Sequence, residues 1–170
     1  MSTAYDIKVD GEPATFEGGA IRFKKDKGRF DLIPWDVNER LMQLPVDLNK
    51  FENVDNQRLF TALSRIDGER FLLLIILITV RHYQKKFDEA YPEMLLDLAI
   101  HFQKGAEKYG EHNCEKGIPL WSFVDSGTRH LMQYLCGRTD EPHYISAIWN
   151  FWMADWTLHH NNDEEEKNCS

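Results

Sequence analysis

The chain has 170 residues, a length typical of one domain, and its hydrophobic content of 42% is enough for a packed core, which excludes a wholly disordered chain. Its net charge of -8 argues against a protein that binds polymeric nucleic acid, because that affinity depends on many Lys and Arg residues. The three cysteines have no metal-type spacing and are odd in number, which favours free thiols in a reducing cytoplasm.

The chain is predicted to have three parts. Residues 1–35 form an N-terminal arm, residues 36–162 form a single helical domain, and residues 163–170 form an acidic tail. The tail begins with the run Asp163–Glu166, a composition typical of a solvated chain end.

The arm has no helical pattern. Ile7–Val9 and Ala20–Phe23 are predicted as short strands, and Gly18–Gly19 is predicted as the turn between them. The arm closes with a basic segment, in which Gly28 would let the backbone approach a ligand and Arg29 would fork onto a phosphate. A solvated basic loop that offsets the acidic body explains this segment as well.

The rest of the chain is predicted to be all-α. The hydrophobic run Phe71–Val80 is too short for a bilayer span, which needs roughly 20 apolar residues, so we expect a buried helix and no membrane partner. The five helices from residue 56 onward are expected to form a bundle, preceded by one short helix. The predicted helices are Trp35–Leu44, Asn56–Ile66, Glu69–Phe87, Tyr91–Lys108, Ser122–Cys136 and Thr139–His160.

One polar stripe follows the fourth predicted helix. Asp97, His101, Lys104 and Lys108 have the spacing of a single helical face. The stripe is either a solvated surface with an Asp–His pair or one wall of a binding site.

A second polar group lies on the next helix. Asp125 and Arg129 are spaced i, i+4, as in an intrahelical ion pair, and His130 follows directly. Because Leu131 and Leu135 must face the core, we expect Arg129 or His130 to lie near the interior.

The start of the last helix carries Asp140, Glu141 and His143. Acidic residues there interact favourably with the helix dipole, so capping alone explains them. The functional alternative is Mg²⁺, which prefers oxygen ligands. In that case Asp97, Asp140 and Glu141, from facing helices, are the candidate metal ligands.

Asn150 lies deeper in the last helix, among aromatic residues. A buried amide must be hydrogen-bonded, so it either ties helices together or reads a base edge. The sequence contains no Gly-rich phosphate loop ending in Lys-Ser/Thr, no His-x-Asp doublet and no nucleophile motif. Carboxylates, histidines, an arginine and amide side chains recur at helical spacing in Met94–His160, and from this concentration we predict a helical pocket for a nucleotide polyphosphate and its cation.

Several runs, in order along the chain, resemble the phage and prophage dATP/dGTP diphosphohydrolase family. The resemblance covers residues 23–34 and 94–160. The runs that carry it are Lys27–Pro34, Gly105–Asn113, Glu115–Pro119, Asp125–His130, Gly137–His143 and Trp149–Asn150.

The resemblance implies a relative of the MazG-like all-α nucleotide pyrophosphatases, which are usually oligomeric and use Mg²⁺ held by carboxylates. Such an enzyme would cleave a purine deoxynucleoside triphosphate between its α and β phosphates, giving the monophosphate and pyrophosphate. We expect a homo-oligomer in the cytoplasm, which is that of the host cell if a phage encodes the chain.

The resemblance and side-chain chemistry together suggest roles for individual residues. Asp125, Glu141 or His143 would orient the attacking water. The candidate substrate-binding residues are Arg29, Lys104, Lys108, Tyr109, Asn113, Arg129, His130 and Asn150.

Two other functions remain open at the level of sequence. A non-catalytic phage protein would use the same cationic residues to sequester a nucleotide signal of host defence. A helical interaction protein would simply expose the polar stripes to solvent. An enzyme would release pyrophosphate from a nucleotide, a sequestering protein would bind the nucleotide without turnover, and an interaction protein would not bind it at all.

Overall fold

The computed structural model of the chain describes residues 13–15, 17–19, 21–23, 27–65 and 68–168. Within these ranges it is a bundle of six α-helices, which confirms the all-α prediction. Short 3-10 turns occur at residues 30–32, 48–50 and 113–115. The helices are α1 (Trp35–Met42), α2 (Asn56–Leu63), α3 (Gly68–Tyr83), α4 (Phe87–Tyr109), α5 (Leu120–Leu135) and α6 (His143–Asn168).

A small hairpin precedes the bundle. Strand β1 (Pro13–Thr15) pairs antiparallel with strand β2 (Ile21–Phe23). The second predicted strand is therefore confirmed, whereas the predicted strand at residues 7–9 lies outside the described residues. Gly19, with φ +79°, lies in the turn that connects β1 and β2.

Helix α4 begins earlier than its sequence suggested. It starts at Phe87, and the acidic side chains of Asp88 and Glu89 in its first turn interact favourably with the positive end of the helix dipole. The predicted start at Tyr91 would place Pro92 in the first turn, whereas in the structure Pro92 lies inside the helix, where it is exposed and removes a single intrahelical hydrogen bond. At the other end of the chain, α6 runs to Asn168, beyond the predicted end at His160.

The core is centred on α3 and α6. Nearly every residue of Phe71–Val80 is buried, which confirms the predicted interior helix. The aromatic residues of α6 also lie inside the chain: Phe151 stacks on Phe71 with ring centroids 6.4 Å apart, and Trp152 is fully buried. Among the described residues, no helix is both long enough and apolar enough to cross a membrane.

The end of the arm is fixed to α4 by backbone contacts. The Gly28 N–H donates to Gln103 Oε1 at 3.0 Å, and the Arg29 N–H donates to the Ala99 carbonyl at 3.0 Å. Gly28 has φ +81°, and a Cβ at that position would lie 2.7 Å from Ala99 Cβ. The expectation that Gly28 approaches a ligand is therefore wrong: it approaches α4.

A buried ion pair fixes α1 to α6. Arg40 Nε donates to Asp155 Oδ2 at 2.8 Å, and Arg40 Nη2 lies 2.7 Å from the same oxygen, which belongs to a fully buried side chain. Burial raises the pKa of Asp155, and the hydrogen bonds from Arg40 oppose that rise. Removing the arginine would leave a buried carboxylate without its cation.

We expect Arg40→Met to lower the free energy of unfolding by about 3–5 kcal/mol, the usual loss when one partner of a buried pair is removed. Asp36→Asn is the matched control, since Asp36 is the more exposed partner of Arg40, and should cost about 0.3–0.5 kcal/mol. Urea unfolding measures both. The double variant Arg40→Met/Asp155→Leu should recover most of the loss, and a single Arg40→Met variant as stable as the parent would contradict this role.

Candidate functional site

Helices α5 and α6 approach each other closely at Gly127. A Cβ at this buried glycine would lie 2.9 Å from Phe151 Cε1 and 3.1 Å from Asn150 Cβ. One turn further along α5, His130 reaches His143, the first residue of α6. The small residue therefore sets the separation at which the two imidazoles meet.

His130, Glu141 and His143 form a group that we call the histidine–glutamate cluster. One ligand-type atom from each residue lies within 4.8 Å of the others. The Nδ1 atoms of His130 and His143 are 3.0 Å apart, and His143 Nε2 is 3.0 Å from Asp140 Oδ1. His143 is buried, His130 is half-buried and Glu141 is exposed, so the cluster opens to solvent on one side.

The charges around the cluster favour neutral imidazole and ionised carboxylate. Burial lowers the pKa of His130, and the positive charge of Arg129 lowers it further. The hydrogen bond from His143 holds the pKa of Asp140 below its usual value. The two shifts favour a neutral imidazole at His130 and an ionised carboxylate at Asp140.

A cavity of about 350 Å³ lies between α4, residues 110–118 and Trp149, and we call it the indole cavity. Trp149 Nε1 is buried and has no hydrogen-bond partner in the part of the chain that the structure describes. Burial raises the pKa of the Cys114 thiol to about 11, so the thiol is an uncharged lining group. The other lining residues are mostly apolar or aromatic: Leu32, His101, Phe102, Gly105, Ala106, Tyr109, Gly110, His112, Asn113 and Ile118.

His101 connects the indole cavity with the histidine–glutamate cluster. It lines the cavity, where its ring centroid is 5.6 Å from that of Trp149. Burial lowers the pKa of His101 to about 4, and the charges of His130 and Lys104 contribute to the shift. The electrostatic effect of His130 indicates that cavity and cluster are neighbours.

Several predicted substrate-binding residues gather at this place. Tyr109 and Asn113 line the cavity. The Lys108 ammonium lies 4.8 Å from the Tyr109 ring centroid, and its pKa is raised by a hydrogen bond with the Tyr109 hydroxyl and, more weakly, by Glu141. Lys104 is exposed on α4 near His101.

Arg29 is engaged in ion pairs. Its Nη2 lies 2.6 Å from Asp31 Oδ2 and its Nη1 lies 2.7 Å from Glu111 Oε1. The hydrogen bonds that the guanidinium donates to these two carboxylates raise its pKa. In this arrangement Arg29 ties the arm to the segment that follows α4, and its donors already have anionic partners.

Asp97 lies in a network of phenols. Its Oδ2 accepts hydrogen bonds from the hydroxyls of Tyr83 and of Tyr144, the latter at 2.5 Å. The Tyr144 ring stacks on His82 with centroids 3.4 Å apart. The structure thus joins Asp97 to α3 and to the start of α6, and it does not group Asp97 with Glu141 as the predicted metal ligands.

The remaining predicted residues have different surroundings. Asn150 is buried at the α5–α6 crossing, and its Nδ2 donates to the Ser146 carbonyl of its own helix at 2.8 Å, so this bond does not join two helices. Arg129 is exposed and donates from Nη2 to Ser126 Oγ at 3.0 Å. Asp125 is exposed on α5, and its catalytic role stays a prediction.

Sequence reasoning did not select Trp149 as a site residue, although it belongs to the Trp-Asn pair of the last quoted run. Aromatic residues in a hydrophobic helix are usually core residues, and only the packing reveals an indole N–H without a partner. His101 was recognised as part of the polar stripe on α4. Its contact with Trp149 could be identified only from the structure.

A larger cavity, of about 860 Å³, is lined by other residues. It mixes basic and acidic side chains, including Lys85 and Glu89, and Arg81 there donates to the Val54 carbonyl at 2.7 Å. Size alone therefore does not locate the site. We place it at the indole cavity, where an unpartnered buried donor lies beside a group of ligand-type atoms.

A family model described as dATP/dGTP diphosphohydrolase, N-terminal, matches residues 80–167, which is more than half of the chain. The match begins at the end of α3 and includes α4, α5 and nearly all of α6, and so it contains the cavity wall and the cluster. It confirms the resemblance drawn from the motifs. Comparison with curated proteins and with solved structures found no match.

We expect the folded protein to lose stability as the pH falls from about 6.5 to about 4. The unfolded chain protonates His101 in this window whereas the folded chain does not, so the free energy of unfolding should fall by on the order of 2 kcal/mol by about pH 4.5. Urea unfolding of chelator-treated protein at about pH 7 and about pH 4.5 measures the loss.

His101→Phe should remove that part of the pH dependence. The control is His112→Asn, which removes an exposed histidine paired with Glu115 and should leave the dependence on pH as it is in the parent. An equal loss in His101→Phe and the parent would contradict the assignment.

Proposed function

The chain belongs to the dATP/dGTP diphosphohydrolase family, and from this premise we propose that it hydrolyses dATP or dGTP to the monophosphate and pyrophosphate. The observation that carries the proposal is the position of the indole cavity, with its unpartnered Trp149 N–H, beside the histidine–glutamate cluster. The cavity suits a base, and the exposed cations beside the cluster suit a polyphosphate.

The purine base would occupy the indole cavity. A volume of about 350 Å³ lies within the range of small-molecule pockets, and aromatic walls are favourable for a flat ring. A purine also has acceptor atoms along its edges, one of which can accept from Trp149 Nε1. Tyr109, which is 60% exposed at the cavity, has the position to cover the base.

The phosphates would extend towards the cluster. Lys104 and Lys108 on α4 and Arg129 on α5 are exposed cations whose electrostatic effects reach His101, Glu141 and His130 respectively. Such cations attract an anionic ligand locally, although the chain as a whole is acidic. Arg29 is left out of this role because two carboxylates already bind it.

The family resemblance implies Mg²⁺, and the donor set allows a test of that expectation. Two of the three donors in the cluster are imidazole nitrogens, whereas Mg²⁺ prefers oxygen ligands in an octahedral arrangement. The cluster therefore does not fit Mg²⁺ as an ion held by the protein. If the protein binds Mg²⁺ here, the exposed carboxylates of Asp140 and Glu141 would be its protein ligands, without the imidazoles.

Glu141 is the proposed base for the attacking water. It is exposed beside the imidazoles, where its carboxylate can accept the proton as the water oxygen bonds to the α phosphorus. The bond from the α phosphorus to the bridging oxygen then breaks, and pyrophosphate leaves. Lys108 and Arg129 would stabilise the charge on the leaving group.

A panel of the four common deoxynucleoside triphosphates, each incubated with the protein and a divalent cation, tests the proposal. We expect pyrophosphate and a monophosphate from the two purine substrates, and in ¹⁸O-labelled water the label should enter the monophosphate, because attack is at the α phosphorus. Glu141→Gln should reduce the rate by about 10²–10⁴-fold, as expected for the loss of a general base.

Tight binding with every nucleotide recovered intact would contradict hydrolysis and support a nucleotide-sequestering protein. No binding at all, measured as no thermal shift with any nucleotide, would contradict both readings and leave a helical interaction protein.

Trp149→Phe should weaken the binding of a non-hydrolysable α,β-imido purine analogue by about 2–10-fold, the equivalent of one hydrogen bond of about 0.5–1.5 kcal/mol. Calorimetric titration measures the Kd. Trp121→Phe is the matched control: it makes the same chemical change at a side chain that is 72% exposed, and it should leave the Kd unchanged. Equal affinity in Trp149→Phe and the parent would exclude the indole N–H from recognition.

A further inference from the structure

We propose that the histidine–glutamate cluster binds a first-row transition-metal ion of the Mn²⁺, Co²⁺ or Zn²⁺ class in preference to Mg²⁺. The ligands are an imidazole nitrogen of His130, an imidazole nitrogen of His143 and one carboxylate oxygen of Glu141, whose second oxygen is then left for the role of base in the proposed function. The cluster is part of the proposed active site, but the inference rests on the donor atoms and is tested with the metal alone.

The spacing of the donor atoms suits a single ion. Two nitrogens that each lie about 2.1 Å from one metal are about 3.0–3.4 Å apart. The Nδ1 atoms of His130 and His143 are 3.0 Å apart, and the ligand-type atoms of the three residues all lie within 4.8 Å of one another. A small movement of the exposed Glu141 side chain is enough to bring its oxygen onto the same ion.

The chemistry of the donors decides which ion is preferred. Imidazole suits Zn²⁺ and its neighbours in the first transition row, whereas sites for Mg²⁺ are built from carboxylates, carbonyls and water. Two imidazoles and one carboxylate are also a common ligand set of catalytic zinc sites, which keep an open position for water or substrate. The exposure of Glu141 leaves room for a phosphate oxygen at that position.

Asp140 supplies the support that metal-binding histidines usually have. Its Oδ1 lies 3.0 Å from His143 Nε2, so that nitrogen donates to the carboxylate and Nδ1 carries the lone pair. His143 is also buried, with a side chain only 1% exposed, which restricts the ring to this orientation. Burial, tautomer and direction of the ring thus all favour a metal ligand at Nδ1.

The alternative account is a proton shared between the two imidazoles, with Asp140 as an ordinary cap of His143. In that case Nδ1 of His130 is a donor to Nδ1 of His143, and no ion is needed to explain their distance. The two accounts differ in what happens when a metal is added to the protein.

Chelator-treated protein should be titrated separately with MnCl₂, CoCl₂, ZnCl₂ and MgCl₂, with binding followed by calorimetry and by the change in Tm. We expect one ion per chain for at least one of the first three metals, with a Kd at least tenfold lower than for Mg²⁺. Co²⁺ adds a visible absorption spectrum that reports nitrogen ligation directly.

Variants connect the binding to the three residues. His130→Gln and Glu141→Gln, at half-buried and exposed positions that should tolerate the change, are expected to raise the Kd more than tenfold, and Asp140→Asn should raise it about 10–100-fold. His160→Gln is the control, because His160 Nδ1 lies 2.9 Å from the Trp156 carbonyl and the residue belongs neither to the cluster nor to the indole cavity. It should leave the Kd unchanged.

Mg²⁺ binding as tight as Mn²⁺, Co²⁺ and Zn²⁺ would overturn the proposal, as would transition-metal binding that is unaffected by His130→Gln and Glu141→Gln. The absence of any metal binding would support the shared proton. Cluster-dependent metal binding without hydrolysis of any nucleotide would leave the metal site standing and reject the proposed function, so the two failures are distinguishable.

Discussion

The close crossing of α5 and α6 at Gly127 is the constraint on which the candidate site depends. A Cβ there would lie too close to the Phe151 ring and to Asn150 Cβ, so these buried side chains or the helices themselves would have to shift. Because His130 lies one turn from the glycine and His143 opens α6, the separation of the helices is also the separation of the two imidazoles. A packing requirement in the core thus determines the geometry of a polar group at the surface.

Charge in this protein is arranged locally. The chain carries a net charge of -8, yet the face formed by α4 and α5 presents Lys104, Lys108 and Arg129 beside the cluster. Arg29, which comes from the most basic part of the sequence, is neutralised by Asp31 and Glu111 and serves to hold the arm. Whether a cation is available to bind an anionic ligand therefore depends on its position relative to the cavity and on its ion pairs, and the basic character of its sequence segment does not show this.

The helical fold was predictable because hydrophobic periodicity and helix-breaking residues determine it. The beginning of α4 was predicted wrongly because Pro92 is usual in a first turn but is also tolerated somewhat later in a helix. The spacing correctly placed Asp97 and His101 on one face of α4. It could not show that the hydroxyls of Tyr83 and Tyr144 donate hydrogen bonds to Asp97. Trp149 was not predicted as a site residue, because only the packing shows that its buried N–H has no hydrogen-bond partner among the described residues. Local pattern therefore predicts the elements, and contacts between distant residues decide the site.

The central claim is that the indole cavity and the histidine–glutamate cluster are two ends of one nucleotide site. A crystal structure of the protein with Mn²⁺ and an α,β-imido purine deoxynucleoside triphosphate tests it most directly. The account predicts the base against Trp149, with an acceptor atom on Nε1, and the anomalous signal of the metal between His130, Glu141 and His143. A nucleotide bound in the larger cavity around Arg81, or a metal bound away from the imidazoles, would contradict it.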